Sequence, residues 1–419
     1  MTEWQSELEP VARETAGGPV SGLAHAHMGA VVDAFVDNFE RRGELGASLC
    51  VQEHGRTVLD LWGGFADAER TTPWTRDTVC VVFSCTKAAT AACVHLLHER
   101  GLLDLDAPVA EIWPAFGDRG RAAATPRMML DHSLGLPALR DPVKADCIVD
   151  TGYMVDRLEQ EPPFWEPGTR HGYHALTYGF LLGELVRRVS GRSLGQFFAD
   201  EVATPFGLDF WIGLPEAVES RVSPIVPYRL TGEEPATPFM EAVRDPGTLP
   251  NLFIFNHGDW AARGINTRAG RAAEIGAAGG VSHARGLADL FTALAIGRPG
   301  DGRTLLQPET IAGLGVASSA SHRDATLLAP TRFGPGFMVS MDNRRRREAT
   351  DSVILGRNAF GHVGAGGSIG FADPDRGLAV GYAMNRQGHG LLLNERGQSL
   401  VDSIYRQYEC TTSRSGFWA

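Results

Sequence analysis

Val81-Val82-Phe83-Ser84-Cys85-Thr86-Lys87 is the segment around which we interpret the rest of this 419-residue chain. A short apolar run leads into Ser84, Lys87 follows three residues later, and small residues continue the segment from Ala88. Residues three apart on a helix lie on one face, so the two side chains come within hydrogen-bond reach. A serine and a lysine in that arrangement form a nucleophile and its base.

The use of lysine in this chain favours that interpretation. Of its 39 lysine and arginine residues, only Lys87 and Lys144 are lysine. Arginine carries the same charge, but it does not lose its proton in a protein. Because the neighbours of Lys87 are alanine and cysteine rather than charged residues, an exposed helix face is a poorer explanation. We therefore predict that Lys87 supplies an amine that accepts a proton.

Composition restricts the class of protein. The length suits one large or two moderate domains, and 43% hydrophobic and 21% charged residues are ordinary for a globular protein. A net charge of −11 argues against nucleic acid or an anionic membrane as a partner. We expect a cytoplasmic protein, because the N-terminal stretch lacks a charged-then-apolar signal and no apolar run reaches membrane-spanning length. The cysteines have no paired spacing and are expected to be reduced: Cys50, Cys80, Cys85, Cys93, Cys147 and Cys410.

The hydrophobic pattern predicts strands near both ends of the chain and helices between them. Predicted strands cover 45–53, 57–62, 78–83, 337–341, 360–363, 368–372 and 378–384. Predicted helices cover 25–42, 84–101, 175–189, 283–296 and 391–407. The proline-rich segment 224–270 is predicted to be irregular, and it either forms a wall of the substrate pocket or packs under a helix.

This order of elements predicts a division of the chain. Residues 20–83 and 285–410 would form an α/β domain with one sheet built from both termini. Residues 84–284 would form a mainly helical inserted domain, and 1–19 and 411–419 would be tails. Ser84 then lies where the first strands lead into the insertion, a boundary at which pockets commonly form.

A second serine motif competes with Ser84. Gly366-Gly367-Ser368-Ile369-Gly370 matches the G-x-S-x-G nucleophile elbow. That elbow requires a helix after the serine, whereas here a turn-like stretch and another strand follow. We therefore interpret the glycines as part of a hairpin in an antiparallel sheet and assign no catalytic role to Ser368.

Three motifs occur in order along the chain: Ser84-Cys85-Thr86-Lys87, Tyr173-His174-Ala175 and His362-Val363-Gly364-Ala365. Together they resemble the serine β-lactamase and penicillin-binding-protein superfamily, especially the class C β-lactamase-like branch that includes the family VIII carboxylesterases. The resemblance covers about residues 24–407. It implies an α/β fold of the α+β type, with a mainly antiparallel sheet flanked by helices and a helical domain beside it.

The resemblance also implies roles for individual residues. Ser84 would be the nucleophile and Lys87 the general base, with Tyr173 matching the tyrosine of the Y-x-N motif. His362, expected to hold or polarise the hydroxyl of Tyr173, would match the lysine of K-T-G. The backbone N–H groups of Ser84 and Ala365 would form the oxyanion hole. Whether Lys87 or Tyr173 is the base in each half-reaction is left open.

Two departures from the family motifs bear on the substrate. Ala175 replaces the asparagine of Y-x-N, and His362 replaces the lysine that would fix a substrate carboxylate. We therefore predict a serine hydrolase that acts on a small carboxylic ester through an acyl-Ser84 intermediate, without metal or cofactor. An acyltransferase of natural-product biosynthesis is the alternative, and a β-lactamase, D,D-peptidase or penicillin-binding sensor is less favoured. Gly364, Ala175, Phe253 and Phe255 are the predicted substrate contacts, and the oligomeric state is left open.

Overall fold

The computed structural model describes residues 8–232, 234, 236–297, 302–346, 351–390, 392–412 and 416–419. Strands in these residues are β1 Leu8–Arg13, β2 Val20–His25, β3 Gly46–Glu53, β4 Arg56–Gly64, β5 Cys80–Val81, β6 Phe210–Trp211, β7 Val281–Ser282, β8 Ser319–Ser321, β9 Thr331–Gly334, β10 Phe337–Val339, β11 Phe360–Val363, β12 Ile369–Asp373 and β13 Leu378–Met384.

The α-helices are α1 Gly29–Arg41, α2 Thr86–Glu99, α3 Pro126–Leu130, α4 Thr151–Gln160, α5 Thr177–Ser190, α6 Leu194–Phe198, α7 Thr204–Phe206, α8 Pro238–Val243, α9 Leu249–Phe255, α10 Arg268–Ala272, α11 Ala284–Phe291, α12 Pro308–Leu314 and α13 Glu395–Gln407. Short 3-10 turns include Phe83–Cys85, directly before α2. None of the helices in the described part of the chain is both long enough and apolar enough to cross a membrane.

Both ends of the chain contribute to one sheet. Within the described residues its ten strands follow the order β1-β2-β4-β3-β13-β12-β11-β10-β9-β8, and every neighbouring pair is antiparallel. Strand β13 joins the two ends, because it pairs with β3 from Leu378 opposite Glu53 to Met384 opposite Ala47. The mainly antiparallel sheet flanked by helices is thus confirmed.

Helices cover both faces of this sheet. Successive side chains of a strand point to opposite faces. On β3, Leu49 and Val51 belong to the same apolar cluster as residues of α1 and α13, whereas Cys50 packs with Ala284 and Ala288 of α11. The strand β13 is therefore buried along its whole length, as its continuous apolar sequence suggests.

The Ser84 turn is held between the large sheet and a small one. Strands β5, β7 and β6 form a separate antiparallel sheet, and the N–H of Val82 donates to Gly280 O at 2.9 Å just beyond β5. Helix α2 is buried from Thr86 to Leu97. This burial explains its small residues, because alanine allows the neighbouring elements to pack close to the helix axis.

Two predictions about irregular regions were wrong. Residues Leu8–Arg13, assigned to a tail, form the edge strand β1, and Trp418 in the other assigned tail is buried and donates its N–H to Leu355 O at 2.8 Å. In the segment predicted as irregular, Leu249–Phe255 form helix α9. The domain division at residues 84–284 stays a prediction.

Candidate active site

Ser84 lies on a strained turn at the start of α2. The preceding residue, Phe83, has a φ of 46°, in the left-handed region that a bulky residue rarely occupies. Such a conformation costs on the order of 1–3 kcal/mol and tends to occur at functional sites. It directs the chain from β5 into α2 within four residues and leaves Ser84 only half-buried, whereas Phe83 and Cys85 are buried.

Lys87 is completely buried one turn along from Ser84, and its amine contacts three oxygen atoms. Its Nζ lies 2.7 Å from Ala175 O, 2.9 Å from Ala277 O and 3.0 Å from Ser84 Oγ. Burial lowers the pKa of Lys87 well below its ordinary value, since a charged ammonium loses its hydration there. A neutral amine has two N–H groups for the two carbonyls, and its lone pair then faces the hydroxyl of Ser84.

Tyr173 completes the contacts of Ser84. Its hydroxyl donates to Ser84 Oγ at 2.8 Å, and Lys87 Nζ lies 4.8 Å from the centre of its ring. Burial raises the pKa of Tyr173, so the phenol keeps its proton at neutral pH. The three oxygen and nitrogen atoms thus form a chain in which Tyr173 donates to Ser84 and Ser84 can donate to Lys87.

A buried carboxylate holds Tyr173 in place. The N–H of Tyr173 donates to both oxygens of Asp324, at 3.0 and 3.1 Å, and its ring stacks on Phe333 with an interplanar angle of 4°. His132 packs against the same ring, with centroids 4.9 Å apart. These contacts leave the phenol little freedom to leave Ser84.

Asp324 in turn forms an ion pair with His171. Both are buried, and His171 Nε2 lies 3.1 Å from the carboxylate. The other ring nitrogen of His171 contacts the hydroxyl of Ser319, which already donates to Asp131 O. Burial alone would raise the pKa of Asp324, but the bond from His171 and the further donors bring it below its usual value.

His362 lies on β11 with its ring centroid 6.1 Å from that of Tyr173. Its Nδ1 bonds Val363 O at 2.8 Å and therefore carries the proton. Burial, with a smaller effect of Lys87, lowers the pKa of His362 to about 3, so the ring is neutral. Contrary to expectation, the hydroxyl of Tyr173 donates to Ser84, and Nε2 of His362 has no hydrogen-bond partner in the described residues.

The turn after β11 lies against the Ser84 turn. The N–H of Gly367 donates to Gly364 O at 3.0 Å, and Gly366 has a φ of 90°, which suits glycine. Ala365 is then the second residue of a tight turn, whose N–H the turn itself does not use. A side chain at Gly364 would come within 2.4 Å of Val82 O, so only glycine permits this approach. The start of the turn that carries Ala365 is thereby held against Val82, two residues before Ser84.

Ser368 has a different environment. It is buried, and its hydroxyl donates to Val82 O at 3.3 Å. Strand β12 follows it and pairs antiparallel with β11 and β13, so no helix starts at this serine. The prediction of a hairpin at these glycines is confirmed.

Comparison with known proteins agrees with this geometry. The family model described as Beta-lactamase matches residues 30–400. The chain belongs to the beta-lactamase family.

Relatives of this family member include an esterase. The Esterase/beta-lactamase LipL of Mycobacterium tuberculosis is 37% identical over 96% of this chain and 91% of its own length. A crystal structure of a family VIII carboxylesterase has 35% identity and a TM-score of 0.78, with 93% of this chain and 99% of that chain covered. A penicillin-binding-protein homologue from Caulobacter crescentus has 34% identity and a TM-score of 0.79 over the same shares. The chain is an enzyme of the serine hydrolase class.

The predicted substrate contacts differ in how they relate to this site. Ala175 contributes its carbonyl oxygen to Lys87, a contact that its side chain does not influence. Phe255 is 64% exposed, and Phe253 packs on Phe239 with ring centroids 6.1 Å apart. Contact of Phe253, Phe255 or Gly364 with substrate stays a prediction.

Several residues that organise the site were missed by the sequence analysis. Ala277, Asp324, His171 and Phe333 come from distant parts of the chain, and none has a short-range motif. The described residues contain no group of three or more histidine, cysteine, aspartate or glutamate side chains arranged to bind a metal ion.

Proposed function

We propose that this beta-lactamase family member hydrolyses small carboxylic esters through an acyl-Ser84 intermediate. The observation that carries the proposal is the set of oxygens around Lys87. Two backbone carbonyls take two N–H groups of the buried amine, and its third neighbour is Ser84 Oγ at 3.0 Å. The lone pair of a neutral Lys87 is thereby aimed at the proton that Ser84 must lose.

In acylation, Ser84 Oγ forms a bond to the ester carbonyl carbon while its proton passes to Lys87 Nζ. The bond from that carbon to the leaving oxygen then breaks. Tyr173, whose hydroxyl is 2.8 Å from Ser84 Oγ, gives its proton to the leaving alkoxide and regains one from Lys87. In deacylation, water loses a proton through the same groups as it attacks the acyl carbon, and Ser84 leaves with a proton.

The oxyanion that develops in both steps is bound by the N–H groups of Ser84 and Ala365. Ser84 lies at the start of α2, where the first N–H groups of a helix lack partners within the helix. Ala365 is the second residue of its turn, and the hydrogen bond that closes the turn does not use its N–H group. Each donor would contribute about 3 kcal/mol to the transition state.

Substrate preference follows from the two departures from the family motifs. A β-lactam or peptide carboxylate beside the scissile bond needs a fixed cation, but burial holds the pKa of His362 at about 3. Ala175 offers no side-chain hydrogen bond to a substrate amide, a loss of roughly 1–3 kcal/mol. An ester with an apolar arm requires neither contact.

Kinetics on a simple chromogenic ester and a chromogenic cephalosporin test this proposal, together with the intact mass of the protein during turnover. We expect kcat/KM for the ester to exceed that for the cephalosporin by orders of magnitude. The mass of the wild-type protein should increase by one acyl group, and the mass of Ser84→Ala should not. A cephalosporin value equal to or above the ester value would contradict the ester assignment. If added alcohol or amine accelerates acyl release and yields the coupled product, the enzyme is an acyltransferase.

A further inference from the structure

A cationic cavity of about 500 Å³ lies beyond the end of β13, where the chain leads into α13. Arg41, Arg42, Arg386 and His389 are among its lining residues, and Glu395 is the sole acidic lining residue in the described chain. The protein as a whole has a net charge of −11, so this local group of positive side chains contrasts with the overall charge. A cationic cavity attracts an anionic ligand.

Arg386 differs from the arginines beside it. Arg41 and Arg42 each pair with a carboxylate, at 3.5 and 3.2 Å. Arg386 donates to Gly43 O at 3.2 Å and forms no ion pair with the residues that the structure describes. Its backbone is fixed, because Val226 forms a bridge with it in a parallel arrangement.

The charges around Arg386 also favour an anion. Burial lowers the pKa of its guanidinium, and the positive charges of Arg70 and Arg396 lower it further, against a smaller opposite effect of Glu44. A half-buried arginine among like charges gains most from a carboxylate or phosphate, which accepts two N–H groups at once. The position therefore offers a donor pair whose natural acceptor is absent from the described protein groups.

An apolar cavity of about 400 Å³ adjoins the cationic one and shares Tyr228, Gly388 and His389 with it. Its apolar lining residues come mainly from the segment around α8 and α9: Leu230, Phe239, Met240, Val243 and Ile254. A pocket wall was one of the two roles predicted for this segment, and Phe253 and Phe255 were the residues chosen as substrate contacts. The lining offers space for a hydrocarbon arm.

Both cavities lie beside the turn that carries Ala365. The N–H of Gly388 donates to Gly366 O at 2.9 Å, and a side chain at Gly366 would contact Gln387 within 2.7 Å. Gly366, the residue after Ala365, therefore contacts Gly388, which lines both cavities.

We propose that Arg386 binds an anionic group, a carboxylate or a phosphate, at the far end of a long apolar acyl arm of the substrate. This inference rests on the proposed ester hydrolysis at Ser84 and adds a subsite to it. It is compatible with poor recognition of β-lactams, because their carboxylate lies next to the scissile bond, on the His362 side of the turn. Arg386 lines the cationic cavity, which adjoins the apolar one.

Matched chromogenic esters test the subsite. The probes are para-nitrophenyl monoesters of linear dicarboxylic acids from adipic to sebacic acid, each compared with the monocarboxylic ester of equal chain length. The readout is the ratio of kcat/KM for the two members of a pair, so general damage to a variant cancels. In the wild-type enzyme we expect the ratio to exceed one at a preferred length and to fall as salt is added.

Variants then assign the effect to Arg386. Arg386→Gln should lower the ratio about tenfold or more, the effect of losing a charge-assisted hydrogen bond, and Arg386→Glu should bring it below one. Arg119→Gln is the matched control, because Arg119 is exposed and bonds Gln160 outside both cavities. A ratio near one at every length, or an unchanged ratio in Arg386→Gln, would overturn the subsite while leaving ester hydrolysis intact.

Equilibrium binding separates this proposal from the proposed function. Calorimetry on Ser84→Ala, with and without Arg386→Gln, measures the dissociation constants of the same ester pairs without turnover. Tighter binding of the dicarboxylic monoester that depends on Arg386 supports the subsite even if the wild-type enzyme hydrolyses neither ester. Equal binding of both members at every length overturns it.

Discussion

Two serines in this protein lie in glycine-containing or strained turns that contact each other, yet their surroundings differ. Ser84 receives a hydrogen bond from Tyr173 and faces the amine of Lys87. Ser368 is buried and donates to Val82 O, in the turn that leads to Ser84. The G-x-S-x-G pattern belongs to the second serine and the proton-accepting groups to the first. A nucleophile is therefore identified by the group that removes its proton, and not by the glycines around it.

The largest expected effect is the loss of activity when Ser84 is replaced, and the comparison would fail if replacement of Ser368 caused that loss instead. Ser84→Ala should reduce kcat/KM for a chromogenic ester by at least about a thousandfold, because the acyl-enzyme has no atom on which to form. Ser368→Ala removes the hydrogen bonds to Val82 O and from Cys85 Sγ, each worth about 1 kcal/mol or less, and should keep most of the activity. Loss of activity in a folded Ser368→Ala protein with an active Ser84→Ala protein would refute the assignment.

Substitution of Lys87 should give the second largest loss of activity, because its amine faces Ser84 and not Ser368. Lys87→Arg should be nearly as damaging as Lys87→Ala, at about a hundredfold or more, because arginine keeps the charge but does not accept a proton. Lys144→Arg is the control: that side chain is 51% exposed and pairs with Asp150. Steady-state kinetics on the purified variants measure both. Near-normal turnover in Lys87→Arg would mean that position 87 acts through charge or packing.

The support of Tyr173 should give a smaller effect. Asp324→Asn replaces the carboxylate that bonds the N–H of Tyr173 and the ring of His171, which loosens the backbone of Tyr173, so we expect kcat to fall about tenfold. The control is Asp60→Asn, which removes another buried carboxylate. Asp60 lies 2.8 Å from Arg76 and has no contact with Ser84. Both variants should melt at lower temperature, but only Asp324→Asn should lose kcat. Equal kcat in the two variants would show that Asp324 serves stability alone.

The pH profile gives the smallest effect and sharpens the role of Lys87. The neutral amine is the active form, so kcat/KM should rise as pH increases through the pKa of Lys87 and then level off. Because burial lowers that pKa, the midpoint should lie well below the ordinary lysine value. His362 does not account for such a limb near neutral pH, since its pKa is about 3. A midpoint near the ordinary lysine value would contradict a desolvated base.

Local spacing made part of the site predictable. Ser84 and Lys87 are three residues apart, and the helical spacing that brings them together can be recognised from neighbouring residues alone. Tyr173 and His362 were located through family motifs, whereas Asp324 lies 151 residues from the N–H it binds. No periodicity or turn pattern encodes a contact over that separation. The support of the site therefore required the folded structure.

The errors in the fold have similar physical causes. Strand β1 is largely exposed, and its two partly buried residues, Leu8 and Val11, are three apart, so its pairing with β2 leaves no alternation in the sequence. Helix α9 was missed because the prolines of segment 224–270, up to Pro250, were taken to indicate irregular structure. In fact Thr248 caps the helix by accepting from the N–H of Asn251, and proline is favoured in the first turn. The same residue type ends one helix and starts another, depending on position.

The burial of Lys87 has a practical consequence for handling the enzyme. The chain has two lysine side chains, and only Lys144 is open to solvent. The cysteines are all buried, so thiol reagents find no ready target on the folded surface. Amine-reactive coupling of lysine side chains to a dye or a solid support is thus directed to a single position. The enzyme can be immobilised there in one orientation, with its own catalytic amine protected by the fold.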